Sequence, residues 1–308
     1  MSLSRRSLFK VSAIALAAGA VGSQAPAALA VGPALGTIID FSAGVPSANA
    51  IKAAGHLGAI RYVSQRRPDA QWMKGKPVTL AETKANAAAG LKTASIYQFG
   101  RAETADWLNG AAGAGVHAPQ AIAIHKAAGG PTGRPIYIAI DDNPTRAQYE
   151  KQIRPYLKAF SAALTAAGYQ TGVYGNYNVI DWCVADGIGE FFWMHDWGSG
   201  GKIHPRTTIH QKAKTQATID GITCDINTVY ARDWGQWTPG EGTVSRPKLK
   251  DIPAVPNDAP LPNIPLPDPT GRGSSVGNNG ITIAGSSVSN DQVRGAIDVL
   301  NTVRKAIG

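Results

Sequence analysis

Two patterns of hydrophobic and polar positions alternate between residues 34 and 238. The first is a short run of β-branched, aliphatic and aromatic residues, which is typical of a buried strand. Eight such runs cover residues 37–41, 59–64, 93–99, 135–141, 171–176, 191–197, 208–211 and 222–226. The second is a longer stretch with helix-like composition and apolar spacing, which covers residues 48–54, 80–89, 118–127, 146–167 and 179–186. The chain is therefore predicted to alternate strands with helices.

The stretch 146–167 shows the helical pattern most clearly. Thr145 and Gln148 have the spacing of a capping box, in which each side chain bonds to the other residue's backbone amide. The apolar stripe that follows consists of Tyr149, Ile153, Tyr156, Leu157, Phe160 and Leu164. A helix with one such face buries it against a core.

Strands that alternate with helices favour parallel pairing through helical crossovers. Helices nearly vanish after the sixth strand, so eight strands and five helices predict an α/β fold, a closed TIM-like barrel with short connections between the last three strands. An open doubly wound sheet is the alternative. Its Gly-rich phosphate turn is missing, because "GAAGAG" at 110–115 lies within a helical region and is interpreted as a helix interruption.

Both ends of the chain differ from this central part. Residues 1–30 hold "SRRSLFK", a weakly apolar run and a small-residue cleavage site at 28–30, which together indicate a twin-arginine signal. The run is shorter than the roughly 20 apolar residues of a membrane span. We therefore expect export through the twin-arginine translocase, a mature chain that begins near Val31, and location in the cell envelope or secretion. A chance arginine pair is the alternative.

Composition changes after Trp237. Residues 239–290 are rich in Pro, Gly and Ser, which predicts a disordered, extended or polyproline-like linker. Residues 291–308 have apolar positions at helical spacing and are predicted to form a short amphipathic helix, which could dock on the main domain, a partner or lipid.

The net charge of +9 over 308 residues is scattered, with no basic run and no nucleic-acid motif. We interpret it as favouring solubility and attraction to anionic envelope polymers, and nucleic acid is not an expected partner. Cys183 and Cys224 either form a disulfide or stay as two buried thiols. No CxxC or HExxH pair indicates a metal, so we predict no metal and no cofactor. We also expect the protein to be a monomer.

Carboxylates stand at the tips of four predicted strands: Asp40, Asp141, Asp196 and Asp225. A barrel enzyme carries its chemistry at the carboxyl ends of its strands. Three or four carboxylates at one rim would form an acid/base site, because neighbours shift each other's protons. We predict Asp141, Asp40 and Asp225 as the catalytic residues.

Several of these polar residues have a structural alternative. Asp142 would cap the following helix while Asp141 faces the barrel, because consecutive strand residues point to opposite sides. Asp40 could bond only to backbone amides near Ser42, and Asp225 to loop amides. His195 is either a proton shuttle or a histidine satisfied by its surroundings.

Aromatic and amide side chains accompany these carboxylates, as a sugar ring requires for stacking and hydrogen bonding. The predicted substrate-binding residues are Trp193, Trp197, His195, Asp196, Tyr62, Gln98, Tyr174, Asn176, Asn143, Asn227 and Gln211. Tyr97 also lies near a strand tip, and core packing is the alternative for many of these aromatic residues.

Several runs carry a family resemblance: "GTIIDFSAGVPSANAIKAAGHLGAIRYVS", "GKPVTLAE", "PIYIAIDDNP", "TGVYGNYNVIDW", "FFWMHDWG" and "CDINTVYARDWGQW". Residues 34–238 resemble the domain of unknown function 1906 family, the Rv2525c-like glycoside-hydrolase-like proteins of mycobacteria and relatives. That family is similar in turn to family 25 glycoside hydrolases, lysozyme-like enzymes, and the resemblance implies a (β/α)5β3 barrel.

The lysozyme pattern transfers in part. Asp40-Phe41-Ser42 matches its first-strand motif, Asp225-Ile226-Asn227 matches its last-strand motif, and Trp193 and Trp197 match its sixth-strand aromatics. The fourth-strand Asp-x-Glu does not match. If Asp141 is aligned with the Asp of this motif, Asn143 stands in the place of the Glu. If Asp141 is aligned with the Glu, Ala139 stands in the place of the Asp.

Two functions follow from the resemblance. The first is an exported hydrolase of cell-envelope glycan, peptidoglycan or a related polysaccharide, in which Asp141 is the acid and Asp40 or Asp225 the partner carboxylate. The second is a non-catalytic glycan-binding or envelope-regulatory protein on a degenerate hydrolase scaffold, which the broken motif favours.

Overall fold

The computed structural model describes residues 31–241 and three short strands between 275 and 289. The predicted signal over 1–30 and the predicted helix over 291–308 lie outside the described residues. Most of the predicted linker over 239–290 lies outside them as well.

Eight strands close into a barrel in their chain order. They are β1 Gly36–Asp40, β2 Gly58–Tyr62, β3 Lys92–Tyr97, β4 Pro135–Ala139, β5 Gln170–Gly175, β6 Phe191–His195, β7 Ile209–Ile219 and β8 Ile222–Val229. Neighbouring strands from β1 to β7 are parallel, whereas β8 is antiparallel to both β7 and β1. The closed barrel is confirmed and the doubly wound sheet is wrong. The expectation of parallel pairing is wrong for β8, because a hairpin from β7 reverses the chain.

Helices follow each of the first five strands. They are α1 Ala48–Ala53, α2 Leu80–Ala88, α3 Gly110–Ala127, α4 Arg146–Gln148, α5 Arg154–Ala166 and α6 Tyr177–Ala185, and a π-helical turn, Tyr149–Ile153, joins α4 to α5. The capping box of Thr145 and Gln148 is present. Within residues 31–241, β6, β7 and β8 have no helix between them, as predicted.

Helix α3 is longer than the sequence pattern indicated. The run "GAAGAG" is its first turns, not an interruption. A Cβ added at Gly113 would come within 2.8 Å of the Asp106 carbonyl oxygen and 3.7 Å of the Tyr156 ring. Small residues there let α3 pack closely against the preceding loop and α5.

Strand β4 shows how the barrel sorts its side chains. Ile136, Ile138 and Ile140 pack outward among residues of the surrounding helices, whereas Tyr137 and Ala139 belong to a separate cluster inside the barrel. Ile138 is fully buried, and truncating such a side chain typically costs about 2–5 kcal/mol. This alternation of two directs every second residue of β4 toward the barrel axis.

Strand β7 continues well beyond its predicted end at residue 211. Its outer half is mostly exposed and pairs with β8 in a hairpin, after an irregular register between Gln211 and Gln216. The hydrophobic pattern missed this half because solvated hairpins carry no buried face.

The tail differs from the predicted extended linker in one place. Strands β9 Ser275–Gly277, β10 Gly280–Ile283 and β11 Ser286–Ser289 form an antiparallel sheet of their own. Residues 271–290 contain no proline and include valine, isoleucine and threonine, which favour strands.

Cys183 on α6 and Cys224 on β8 are both buried and both free, so the structure contains two separate thiols, not the disulfide. No helix among the described residues is long and apolar enough to cross a membrane.

Candidate active site

A polar cleft lies at the carboxyl ends of the barrel strands and encloses about 100 Å³. It is lined by Asp40, Tyr62, Ile96, Gln98, Asp141, Tyr174, Trp193, Trp197, Gln211 and Asp225. The three predicted catalytic carboxylates are thus brought together, with six of the predicted substrate-binding residues. In the part of the chain that the structure describes, no three His, Cys, Asp or Glu side chains are grouped so as to hold a metal ion.

Asp40 and Asp225 are neighbours across the seam where β1 pairs with β8. The Gln211 side-chain amide donates to both, at 3.1 Å to Asp40 Oδ2 and 3.3 Å to Asp225 Oδ2. The Gln216 amide donates to Asp225 Oδ1 at 2.7 Å. The two carboxylates therefore share one donor, and a second donor fixes the other oxygen of Asp225.

Asp40 is buried, and three side chains donate to it. Besides Gln211, Asn227 Nδ2 lies 2.8 Å from its Oδ2 and the Tyr62 hydroxyl 3.4 Å from its Oδ1. Burial and the nearby charge of Asp225 raise the pKa of Asp40 to about 7, although the hydrogen bonds from Asn227 and Tyr62 lower it. The alternative, that Asp40 bonds only to local backbone amides, is wrong.

Asp141 and Asp142 point to different sides, as the alternation along β4 predicts. Asp141 continues the inward series of Tyr137 and Ala139 and lines the cleft, where its Oδ2 accepts a 2.9 Å hydrogen bond from the Gln98 amide. Burial raises the pKa of Asp141. Its Oδ1 has no hydrogen-bond partner among the described residues, so it is free to face a ligand.

Asp142 does not cap the next helix. It accepts a 2.8 Å hydrogen bond from Trp107 Nε1, while Thr145 accepts from the Gln148 amide and so caps α4. The prediction of a capping role for Asp142 is wrong, because the capping box already satisfies the helix start.

Trp193 and Trp197 differ in exposure. Trp193 is 1% exposed inside the barrel, and its Nε1 donates to Asn227 Oδ1 at 2.8 Å. Trp197 is 38% exposed and stacks on His195, with ring centroids 3.7 Å apart and planes 17° from parallel. Tyr174 lies between the two tryptophans and also bonds to Gln211. Among the aromatic residues that line the cleft, Trp197 is the most exposed to solvent.

Five predicted substrate-binding residues lie around the cleft rather than among its lining: His195, Asp196, Asn143, Asn176 and Asn227. His195 packs under Trp197, and burial lowers its pKa to about 3, so it is a neutral support for that ring. Asp196 forms a hydrogen bond with His210 Nε2 and accepts another from the Ala213 backbone amide.

The asparagines have structural partners. Asn176 caps α6 by accepting from the Val179 amide and donates to exposed Asn143 at 2.9 Å. Asn227 donates a hydrogen bond to Asp40 and accepts one from Trp193. Asn143 therefore contacts a helix cap and takes no position in the cleft.

Three residues near the carboxylates were not predicted. Ile96 lines the cleft because β3 directs alternate residues inward, a signal that the alternation of two could have supplied. Gln216 reaches Asp225 only because of the irregular register in β7. Buried Lys76 contacts the backbone of Gln98 from a loop. No local sequence signal marks the last two.

A family model described as an Rv2525c-like, glycoside hydrolase-like domain matches residues 49–229. Rv2525c of Mycobacterium tuberculosis, named as a candidate peptidoglycan hydrolase, is 46% identical over 242 residues, which are 77% of this chain and all of that protein. The crystal structure of Tat-secreted Rv2525c with L-tartrate covers 66% of this chain and 100% of its own, with a TM-score of 0.63. A second crystal form of Rv2525c, with HEPES, has a TM-score of 0.62 and 46% sequence identity. It covers 66% of this chain and 99% of its own.

Proposed function

Because this chain belongs to the Rv2525c-like, glycoside hydrolase-like family, we propose that it is an exported hydrolase of cell-envelope glycan that works at the barrel mouth. Peptidoglycan or a related polysaccharide is the substrate. One observation carries the proposal: Asp40, Asp141 and Asp225 converge on one cleft with an aromatic wall. Two carboxyl groups on opposite sides of a glycosidic bond are the usual requirement for its hydrolysis.

Asp141 is the general acid in this proposal. Its raised pKa keeps a proton on the carboxyl group at higher pH than for a solvated aspartate. Gln98 fixes one oxygen and leaves Oδ1 to approach the leaving oxygen of the glycan. A carboxyl group with a raised pKa that faces the substrate is better suited to general acid catalysis than a solvated one.

Asp225 stabilises the sugar cation or acts as the base. Asp40 lies opposite Asp225 in the β1–β8 pair and shares the Gln211 donor with it. Asp225 is partly exposed and Gln211 and Gln216 hold its two oxygens. Neighbouring carboxylates resist ionising together. Because the pKa of Asp40 is raised to about 7, Asp40 retains its proton more readily than a solvated aspartate, and Asp225 is the more exposed carboxyl group of the pair.

The dimensions of the cleft favour a polymer over a small enclosed substrate. Its volume of about 100 Å³ is below the roughly 300–1,000 Å³ of pockets that enclose a drug-sized ligand. A glycan chain would insert one group between the carboxylates and lie across the mouth, where Trp197 offers a ring face for stacking.

Export is the second part of the proposal. Rv2525c is described as Tat-secreted, and this chain carries "SRRSLFK" at residues 4–10. We infer that the chain crosses the membrane folded, through the twin-arginine translocase, and acts in the envelope. Replacing Arg5 and Arg6 by lysines should keep the protein in the cytoplasm, and unchanged export would contradict this part.

A reducing-end assay on purified cell-wall glycans tests the hydrolase directly. The protein should release reducing ends from at least one of peptidoglycan and related envelope polysaccharides. Complete absence of turnover on such a panel at several pH values would refute hydrolysis.

A non-catalytic glycan-binding role is the second candidate, and one observation favours it. Ala139 faces the barrel interior where the lysozyme motif would place a carboxylate, and Asn143 lies outside the cleft. In that case, glycan binding survives Asp141→Asn and no variant shows turnover.

A further inference from the structure

Lys76 is a buried cation that the proposed reaction leaves unused. It lies in the loop between β2 and α2, and only 8% of the residue is exposed. A buried ammonium group is costly unless other groups compensate it. Its partners therefore indicate what the charge is for.

The first partner is the backbone of Gln98. Lys76 Nζ donates to the Gln98 carbonyl at 2.8 Å, and the Ser64 hydroxyl donates to the same oxygen at 2.6 Å. Gln98 follows β3, and its side-chain amide donates to Asp141. Two donors thus fix the backbone of the residue that orients Asp141.

The second partner is the ring of Tyr62. Lys76 Nζ lies 3.9 Å from the ring centroid, a cation–π contact. The Tyr62 hydroxyl points to Asp40 Oδ1. Lys76 therefore contacts two cleft residues, Gln98 and Tyr62, without lining the cleft itself. Each of the two donates to a different carboxylate of the site.

Charged groups on several elements surround the ammonium. Burial lowers the pKa of Lys76 to about 7, with smaller lowering effects from Arg67 and Arg61, while Asp106 and Asp141 raise it. Burial raises the pKa of Asp141; among the nearby charges, Arg101 lowers this pKa, and Asp142 and Asp225 raise it. Lys76 and Asp141 thus interact electrostatically although no hydrogen bond joins them.

We propose that Lys76 is a positioning residue of the candidate active site, which holds the Gln98 backbone and the Tyr62 ring and so orients the donors to Asp141 and Asp40. This inference rests on the proposed function for its catalytic meaning. The geometry that it concerns can be tested whether or not the protein turns over a glycan.

The test compares Lys76→Met with Lys74→Met in the full chain. Lys74 is an exposed lysine on the same loop, so it controls for the loss of one positive charge. The carboxyl carbon of Asp141 is titrated by NMR in each protein. Losing Lys76 removes an attractive charge and loosens the Gln98 donor, so the pKa of Asp141 should rise by about half a unit or more. Lys74→Met should leave it unchanged.

An unchanged Asp141 titration in Lys76→Met, or an equal shift in both variants, would overturn the inference. Lys76→Arg, which keeps the charge, should restore most of the wild-type titration. If the methionine variant does not fold, Lys76→Leu replaces it in the same comparison, because it also removes both the donor and the charge.

Kinetics separate this inference from the proposed function. Where the wild type hydrolyses glycan, Lys76→Met should lower kcat severalfold with little change in KM, because Lys76 does not line the cleft. A wild type without turnover would end the proposed function, while the Asp141 titration would still decide whether Lys76 positions the site.

Discussion

Asp40 and Asp225 stand directly opposite each other where the first and last strands of the barrel pair. The amide of Gln211 bonds to both carboxylates. Closure of the barrel therefore assembles the candidate site from residues that are distant in the chain. Buried Asp40 and partly exposed Asp225 have different environments, and that difference can separate their roles.

Asp40→Asn should stabilise the protein above neutral pH. The pKa of Asp40 is raised to about 7 in the folded protein, so folding favours its protonated form. Stability from this group is present at low pH and declines as pH rises from about 4 to 7, because the unfolded chain releases the proton first. The variant should gain about 2–4 kcal/mol over wild type at pH 8 and little at pH 4.

Urea unfolding at both pH values measures this difference. Asp69→Asn is the matched control, because the Asp69 side chain is 78% exposed. A gain that does not depend on pH, or an equal gain in the control, would show that Asp40 ionises as easily as a solvated aspartate.

The two tryptophans should separate binding from folding. Trp197→Ala removes an exposed ring face and should weaken glycan binding about tenfold, with a small effect on stability. Trp193→Ala empties a buried site and breaks the bond to Asn227, so the free energy of unfolding should fall by about 3–5 kcal/mol. Calorimetry and a glycan pull-down measure the two effects.

Trp72→Ala serves as the control for Trp197, because Trp72 is 57% exposed and does not line the cleft. Equal losses of binding in the Trp72 and Trp197 variants would argue against Trp197 as a sugar platform.

Gln216→Ala should impair turnover through Asp225. The Gln216 amide is the donor to Asp225 Oδ1, and removing one such hydrogen bond should lower kcat about threefold to tenfold. Thr218→Ala changes an exposed neighbour on the same strand and should leave kcat as in wild type. If both variants match wild type, Gln216 does not orient the reactive carboxylate.

Both cysteines should resist labelling in the folded protein. Burial raises the pKa of Cys183 to about 12 and that of Cys224 to about 11, and the thiolate is the reactive form. A thiol reagent should modify neither cysteine in native protein and both after denaturation without reductant. Failure to modify either one after denaturation would indicate a disulfide.

Much of the barrel could be predicted because its signals are local. Strand runs, the capping box at Thr145 and the loss of helices after β6 are all readable over short windows. The alternation along β4 also predicted that Asp141 faces inward and Asp142 does not. Such signals depend only on a residue's immediate neighbours.

Other parts depended on contacts that short windows do not contain. Lys76 reaches the site because its loop packs against Gln98 and Tyr62, and Gln216 because the register in β7 is irregular. The glycine-rich start of α3 has weak helix propensity, and close packing against α5 compensates for it. The antiparallel pairing of β8 is a different case: it follows from the two-residue turn Asp220-Gly221 between β7 and β8, which is itself a local hairpin signal.

Asp141→Asn tests the central claim most directly, with reducing-end release and glycan binding measured on the same purified protein. The account predicts that wild type releases reducing ends from cell-wall glycan. It also predicts that the variant loses about 100-fold or more of that rate and retains binding, because asparagine keeps the shape and cannot donate the proton. Wild-type turnover in Asp141→Asn would contradict the account.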